Sequence, residues 1–285
     1  MTSAPNIEQT AAALRDADAV VIGASNGLSI AEGYHIFANN EWFRQNFGDF
    51  QQRYGIHSPL EGITFPYPTP EEKWAFLSRL ATLVSYTNPP SATMENLRSM
   101  TAGKDTFVLT TNGEDHFVPA GFAPAAVFET EGTLTKNRCA RHCTDELFDN
   151  RESMLTMAAA QSDCRVPSEL LPRCPRCGGP MEVNMGKGPQ FFQMPSWQEK
   201  AHAFREFCAR NHNKRIVILE LGVGWRNQLV KGPLYQLSAA EPNLTYTVFN
   251  MSELLLPPRL QGRGILLEGD IAQTVSSVEV TLHSR

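Results

Sequence analysis

Two closely spaced cysteine pairs constrain this chain more than any other feature. Cys139 and Cys143 form the first pair; Cys174 and Cys177 form the second, within Arg173-Cys174-Pro175-Arg176-Cys177-Gly178-Gly179-Pro180-Met181. Short-spaced pairs on turns can bring four thiolates to the corners of a tetrahedron, the arrangement that Zn²⁺ takes in structural sites. Glycines after Cys177 let backbone N–H groups turn toward sulfur with no Cβ in the way. The alternatives are two disulfides or four unrelated thiols, and paired knuckles in a chain without secretory features favour zinc. Four protein ligands leave no open coordination position, so such a zinc supports architecture and the chemistry lies elsewhere.

The 285 residues suffice for one large domain with an insertion, or for two domains. A net charge of −5 and the lack of any Lys or Arg block argue against a nucleic-acid partner. The N-terminus lacks the basic start and apolar core of a signal peptide. No stretch approaches the roughly 20 apolar residues of a membrane span. With Cys164 and Cys208, the six cysteines suit a reducing cytoplasm.

Continuous apolar runs at 19–22, 106–110, 125–128, 216–219, 246–249 and 264–267 have the character of strands buried on both faces. Helix-like segments lie at 6–17, 70–86, 92–101, 196–211 and 270–282. This alternation predicts an α/β fold, a doubly wound parallel sheet of Rossmann type. Two regions break the rhythm: an aromatic-rich helical excursion at 30–69, and a zinc-binding module at 139–195 with a helix candidate at 147–161. The sheet domain then comprises 1–29, 70–138 and 196–285, and a cleft between it and the smaller module is the expected ligand site.

Strand ends carry the polar and glycine-rich loops. The first apolar run ends in Gly23-Ala24-Ser25-Asn26-Gly27-Leu28-Ser29, similar to a dinucleotide-binding turn but without the Gly-x-Gly-x-x-Gly spacing. The second ends in Thr110-Thr111-Asn112-Gly113-Glu114-Asp115-His116, the third in Glu129-Thr130-Glu131-Gly132 and the fourth in Glu220-Leu221-Gly222-Val223-Gly224-Trp225-Arg226-Asn227. Asn112 could orient a ribose hydroxyl or a water, and Glu114 and Asp115 could hold a carboxamide. The same residues also favour plain turns. His116 is a candidate base or a turn-packing histidine. His142, inside the first knuckle, could be a ligand, but with four cysteines available a solvated place or one beside the ligands is expected.

Taken in order, these stretches resemble a sirtuin over nearly the whole chain, and more specifically the macrodomain-linked class M sirtuins. The resemblance implies NAD⁺ as cosubstrate and cleavage of the nicotinamide–ribose bond. It places Gly23, Ala24 and Ser25 on the pyrophosphate, Phe37 over the nicotinamide pocket and Asn112 on the nicotinamide ribose. Gly222 and Val223 fall beside the adenosine, Asn250 and Met251 at the adenine ribose, and Asp270 and Ile271 at the adenine. Deacylating sirtuins carry a histidine base where this chain has Glu131, and class M members commonly carry glutamine. The expected activity is therefore ADP-ribosyl transfer to a protein, with Asn112 and Glu131 carrying the reaction. An ionised carboxylate at this position could deprotonate the incoming nucleophile or stabilise an oxocarbenium-like cation. The family implies a lipoylated carrier of the glycine-cleavage H type as substrate and a macrodomain hydrolase as partner. A deacylase with a non-histidine base, or a non-catalytic NAD⁺ or ADP-ribose sensor, are the alternatives.

Overall fold

The structure is a computed structural model that describes residues 4–262 and 264–284. Six parallel strands form its main sheet: β1 (Ala19–Ala24), β2 (Asp105–Thr110), β3 (Val127–Glu129), β7 (Ile216–Leu221), β8 (Leu244–Asn250) and β9 (Ile265–Glu268). Their spatial order is β3-β2-β1-β7-β8-β9, so the chain reverses its winding between β1 and β7. The parallel, doubly wound sheet expected from the apolar runs is present, with each run inside a strand or overlapping one.

Alternate residues of β1 feed two cores, as the two-residue period of a strand requires. Val20, Ile22 and Ala24 pack with helices Ala4–Asp16, Ala92–Met100 and Ile271–His283. Ala19 and Val21 face helices Pro195–Arg210 and Gln228–Ala240. The latter helix is pinned to the sheet by a buried ion pair, Lys231 Nζ to Glu220 Oε1 at 2.5 Å, and Tyr246 Oη donates to the other carboxylate oxygen at 2.5 Å. Gly23 lies directly beneath it: a Cβ there would stand 2.4 Å from Leu234 Cδ1.

A second, antiparallel sheet has the order β5-β4-β6, built from β4 (Gly132–Cys139), β5 (Phe148–Asp149) and β6 (Met181–Met185). The 147–161 helix candidate is a short strand followed by helix Arg151–Ala160. A third core lies against this sheet. It joins Phe43, Phe47 and Phe50 of helix Glu41–Tyr54 to Trp74, Phe76 and Leu80 of helix Pro70–Ala81, and to Met154, Met157, Leu134 and Val183. Helix Pro70–Ala81 thus buries its apolar face with the aromatic segment and not on the parallel sheet.

Candidate active site

A cavity of about 1040 Å³ opens where the winding reverses, at the carboxyl ends of β1, β2 and β7. Open α/β sheets bind ligands at such a switch point. Two backbones meet in its floor. Gly27 N donates to Gly222 O at 3.1 Å, a Cβ on Gly27 would stand 2.4 Å from Gly222 Cα, and Gly222 has φ +61°. Neither position admits a side chain, which explains the glycines in both loops.

Ser25, Phe37, Asn112, Glu114, Glu131 and Gly222 all line this cavity, so residues from five separate segments meet there. Gly23 faces Leu234, and Ala24 is buried in the sheet core. Val223 is buried against the opposite core. Asn250 ends β8, with exposed Met251 beside it. Asp270 caps helix Ile271–His283 by accepting from Gln273 N at 2.9 Å, and Ile271 is buried. None of these, nor Asp115, lines the cavity.

Asn112 is 6% exposed; its Nδ2 donates to Ser25 O at 3.2 Å, and its buried Oδ1 has no partner. Glu131 stands on the loop between β3 and β4. Gly132 turns that loop with φ +81°, close enough to β6 that a Cβ would meet Asn184 O at 2.0 Å. Gly186 N donates to Glu131 O at 3.1 Å, and Lys187 Nζ lies 3.0 Å from Glu131 Oε1. Lys187 belongs to no motif along the chain. Its only sequence signal is a lone cation between Gly186 and Gly188, and its closeness to Glu131 arises from the pairing of β4 with β6.

Glu114 is buried, with Ser29 Oγ donating to it at 2.5 Å; burial raises its pKa, against the neighbouring His116 and the Ser29 hydroxyl. His116 Nδ1 meets Glu32 Oε2 at 3.0 Å, and its Nε2 meets Val84 O at 2.5 Å. Burial opposes its charge, but the Glu32 and Glu114 carboxylates outweigh this and raise its pKa to about 9. With both ring nitrogens engaged and no place on the cavity wall, His116 is not positioned as a base.

The four knuckle sulfurs lie within 4.8 Å of one another, with Cys139 Sγ to Cys177 Sγ at 3.7 Å and Cys143 Sγ to Cys174 Sγ at 3.6 Å. Zn–S bonds of about 2.3 Å in a tetrahedron put sulfurs about 3.8 Å apart, whereas a disulfide needs about 2.05 Å. The set fits one zinc and no disulfide. His142 is not a member of the group.

A protein ADP-ribosyltransferase of Staphylococcus aureus is 30% identical over 267 residues, 93% of this chain and 84% of that protein. The chain belongs to the sirtuin-like protein ADP-ribosyltransferases. A probable bifunctional ADP-ribose hydrolase/ADP-ribosyltransferase of Fusarium oxysporum is 29% identical over 222 residues, 74% of this chain but 36% of that longer relative. No protein-family model matches the chain. Among solved structures, a Sir2 homologue in complex with NAD aligns with TM-score 0.64 at 16% identity, over 97% of this chain and 94% of its own. Sir2Af2 bound to a myristoylated histone peptide aligns with TM-score 0.58 at 14% identity, over 99% and 98%. The fold is thus that of the Sir2 sirtuins.

In this sirtuin-like transferase the end of β3 is a shared wall. Glu131 lines the large cavity, Thr130 lines an apolar cavity of about 600 Å³ between helices Pro195–Arg210 and Gln228–Ala240, and Glu129 lines a third of about 460 Å³. Burial, with Asp115 nearby, raises the Glu129 pKa from 4.5 to about 7. The folded protein therefore holds this proton where the unfolded chain has released it. The contribution of this group to stability falls as pH rises from 4.5 to 7 and is level beyond, by about 3 kcal/mol. Glu129→Gln should abolish that fall, so denaturation between pH 4.5 and 8 should show the variant gaining on the wild type toward neutrality. Parallel curves would refute it.

Proposed function

We propose that the large cavity binds NAD⁺ and that the protein transfers ADP-ribose to an acceptor protein, as a class M sirtuin. The observation that carries this reading is Glu131 in the cavity with Asn112, where deacylating relatives place a histidine. The orphaned Asn112 Oδ1 fits a donor from ribose. Bound there, NAD⁺ supplies an electrophilic ribose C1′ as its bond to nicotinamide breaks and nicotinamide leaves with the electron pair. Asn112 orients the ribose. Glu131 accepts the proton that the acceptor nucleophile gives up as it bonds to C1′, and Lys187 holds the carboxylate in place beforehand. Ser25 and neighbouring N–H groups serve the pyrophosphate, and the adenosine extends beyond the cavity to the ends of β8 and β9, at Asn250, Met251, Asp270 and Ile271. The four cysteines hold a structural zinc.

The acceptor we propose is a lipoylated carrier of the glycine-cleavage H type, with a macrodomain hydrolase as the reversing partner. The naming of one relative as a bifunctional hydrolase and transferase supports that pairing. We also place the protein in the cytoplasm. The six cysteines are all free of disulfides, and among the described residues no helix is long and apolar enough to cross a membrane. Mass spectrometry of lipoylated carrier after incubation with enzyme and NAD⁺ should show an added ADP-ribose. O-acyl-ADP-ribose from acylated peptides instead would identify a deacylase, and neither product would leave a sensor.

A further inference from the structure

Three loops meet at one side chain that the reaction scheme leaves out. Asn227 follows the glycine-rich loop after β7 and caps helix Gln228–Ala240 by accepting from Val230 N at 3.4 Å. Because a backbone N–H only donates, that contact fixes which end of the amide is oxygen. The two hydrogens of Asn227 Nδ2 then go to Ser25 Oγ at 2.9 Å and Thr111 Oγ1 at 2.8 Å. Those hydroxyls lie 3.0 Å apart and share one hydrogen between them. Two hydroxyl hydrogens enter this triangle and one is consumed in it, while both oxygens already accept from the amide. All three residues line the large cavity.

We propose that Asn227 is a positioning residue for the cosubstrate: by saturating the Ser25 and Thr111 oxygens as acceptors, it leaves one hydroxyl hydrogen to be donated to a pyrophosphate oxygen. This rests on the NAD⁺ reading of the cavity. The amide side chain is the one that does both tasks, capping the helix with its oxygen and orienting the hydroxyls with its nitrogen.

The two tasks separate by mutation. Asn227→Asp keeps the cap, since Asp and Asn cap equally well, but it offers only acceptors and draws both hydroxyl hydrogens to itself. Asn227→Ala removes the cap but leaves both hydroxyls free to donate. Calorimetric titration with ADP-ribose should therefore show affinity falling about 10- to 100-fold in Asn227→Asp with Tm unchanged. In Asn227→Ala, Tm should fall by roughly 2–4 °C with a smaller loss of affinity. A background lacking both hydroxyls, Ser25→Ala with Thr111→Val, separates hydroxyl capture from plain charge repulsion. There Asn227→Asp should cost much less affinity than in the wild type. An equal cost in both backgrounds, an affinity loss that follows Tm, or undiminished binding by Asn227→Asp would each overturn the inference. Failure of the unaltered protein to bind ADP-ribose would overturn the NAD⁺ reading and this inference with it.

Discussion

Glu131→Gln should keep NAD⁺ affinity and lower the rate of ADP-ribosyl transfer by about 10²–10⁴. Glutamine preserves the shape of the side chain and its reach to the ribose, so binding is retained. It removes the carboxylate proposed to accept the nucleophile's proton, and with it the charge that pairs with Lys187 at 3.0 Å. Single-turnover transfer at saturating NAD⁺ isolates this step from binding. Full activity in the variant would show that position 131 only orients the ribose. Glu131→His adds a second arm. Deacylase turnover in that variant would mean the fold kept deacylase geometry and exchanged only the base.

The other large effect is expected at the zinc. Elemental analysis should find one zinc per chain, and Cys174→Ser should release it and unfold the knuckles with the adjoining ends of β4 and β6. The packing around the sulfurs is slight: Cys139, Cys174 and Met181 form the buried cluster, with Phe148 partly buried against it. An apolar group that small does not hold two loops and a strand end by itself, so metal binding supplies the folding free energy, on the order of 10–16 kcal/mol in isolated zinc modules. The expected readout is an early unfolding step, seen also when a chelator strips the wild type. Zinc-free wild-type protein, or Cys174→Ser with full zinc and unchanged melting, would remove the site.

The parallel sheet was legible because its strands are buried on both faces and read as unbroken apolar runs. The small sheet was hidden by its own polarity. β4 reads Gly-Thr-Leu-Thr-Lys-Asn-Arg-Cys, and its buried Thr133, Thr135 and Asn137 are satisfied internally. Thr133 and Thr135 hydroxyls meet at 3.0 Å, and Asn150 Nδ2 donates to Asn137 Oδ1 at 2.8 Å. No hydrophobic period can report such a strand. Helix Gln228–Ala240 was missed for a different reason: Gly232-Pro233 stands inside it and reads as a breaker. The buried Lys231–Glu220 pair and the apolar side chains under it hold the helix regardless. At the site, the strand-end loops announced Asn112 and Glu131. Lys187 and the triangle around Asn227 come from tertiary pairing and could not be counted along the chain.

The contact of Gly27 with Gly222 also sets how the cavity can change its size. Two loops almost two hundred residues apart in sequence touch there backbone to backbone, with a hydrogen bond and no side chain to slide. They form a locked joint that carries Ser25 on one side and leads into Asn227 on the other. The roof is built differently: Phe37, Leu60, Ile63, Met185 and Lys187 hang from the aromatic helices and the small sheet, which have a core of their own. A change in the cavity's width is therefore expected of the roof and not of the base. Substitutions that alter that width belong at 36–64 and 185–187, and those at 27 or 222 would break the base itself.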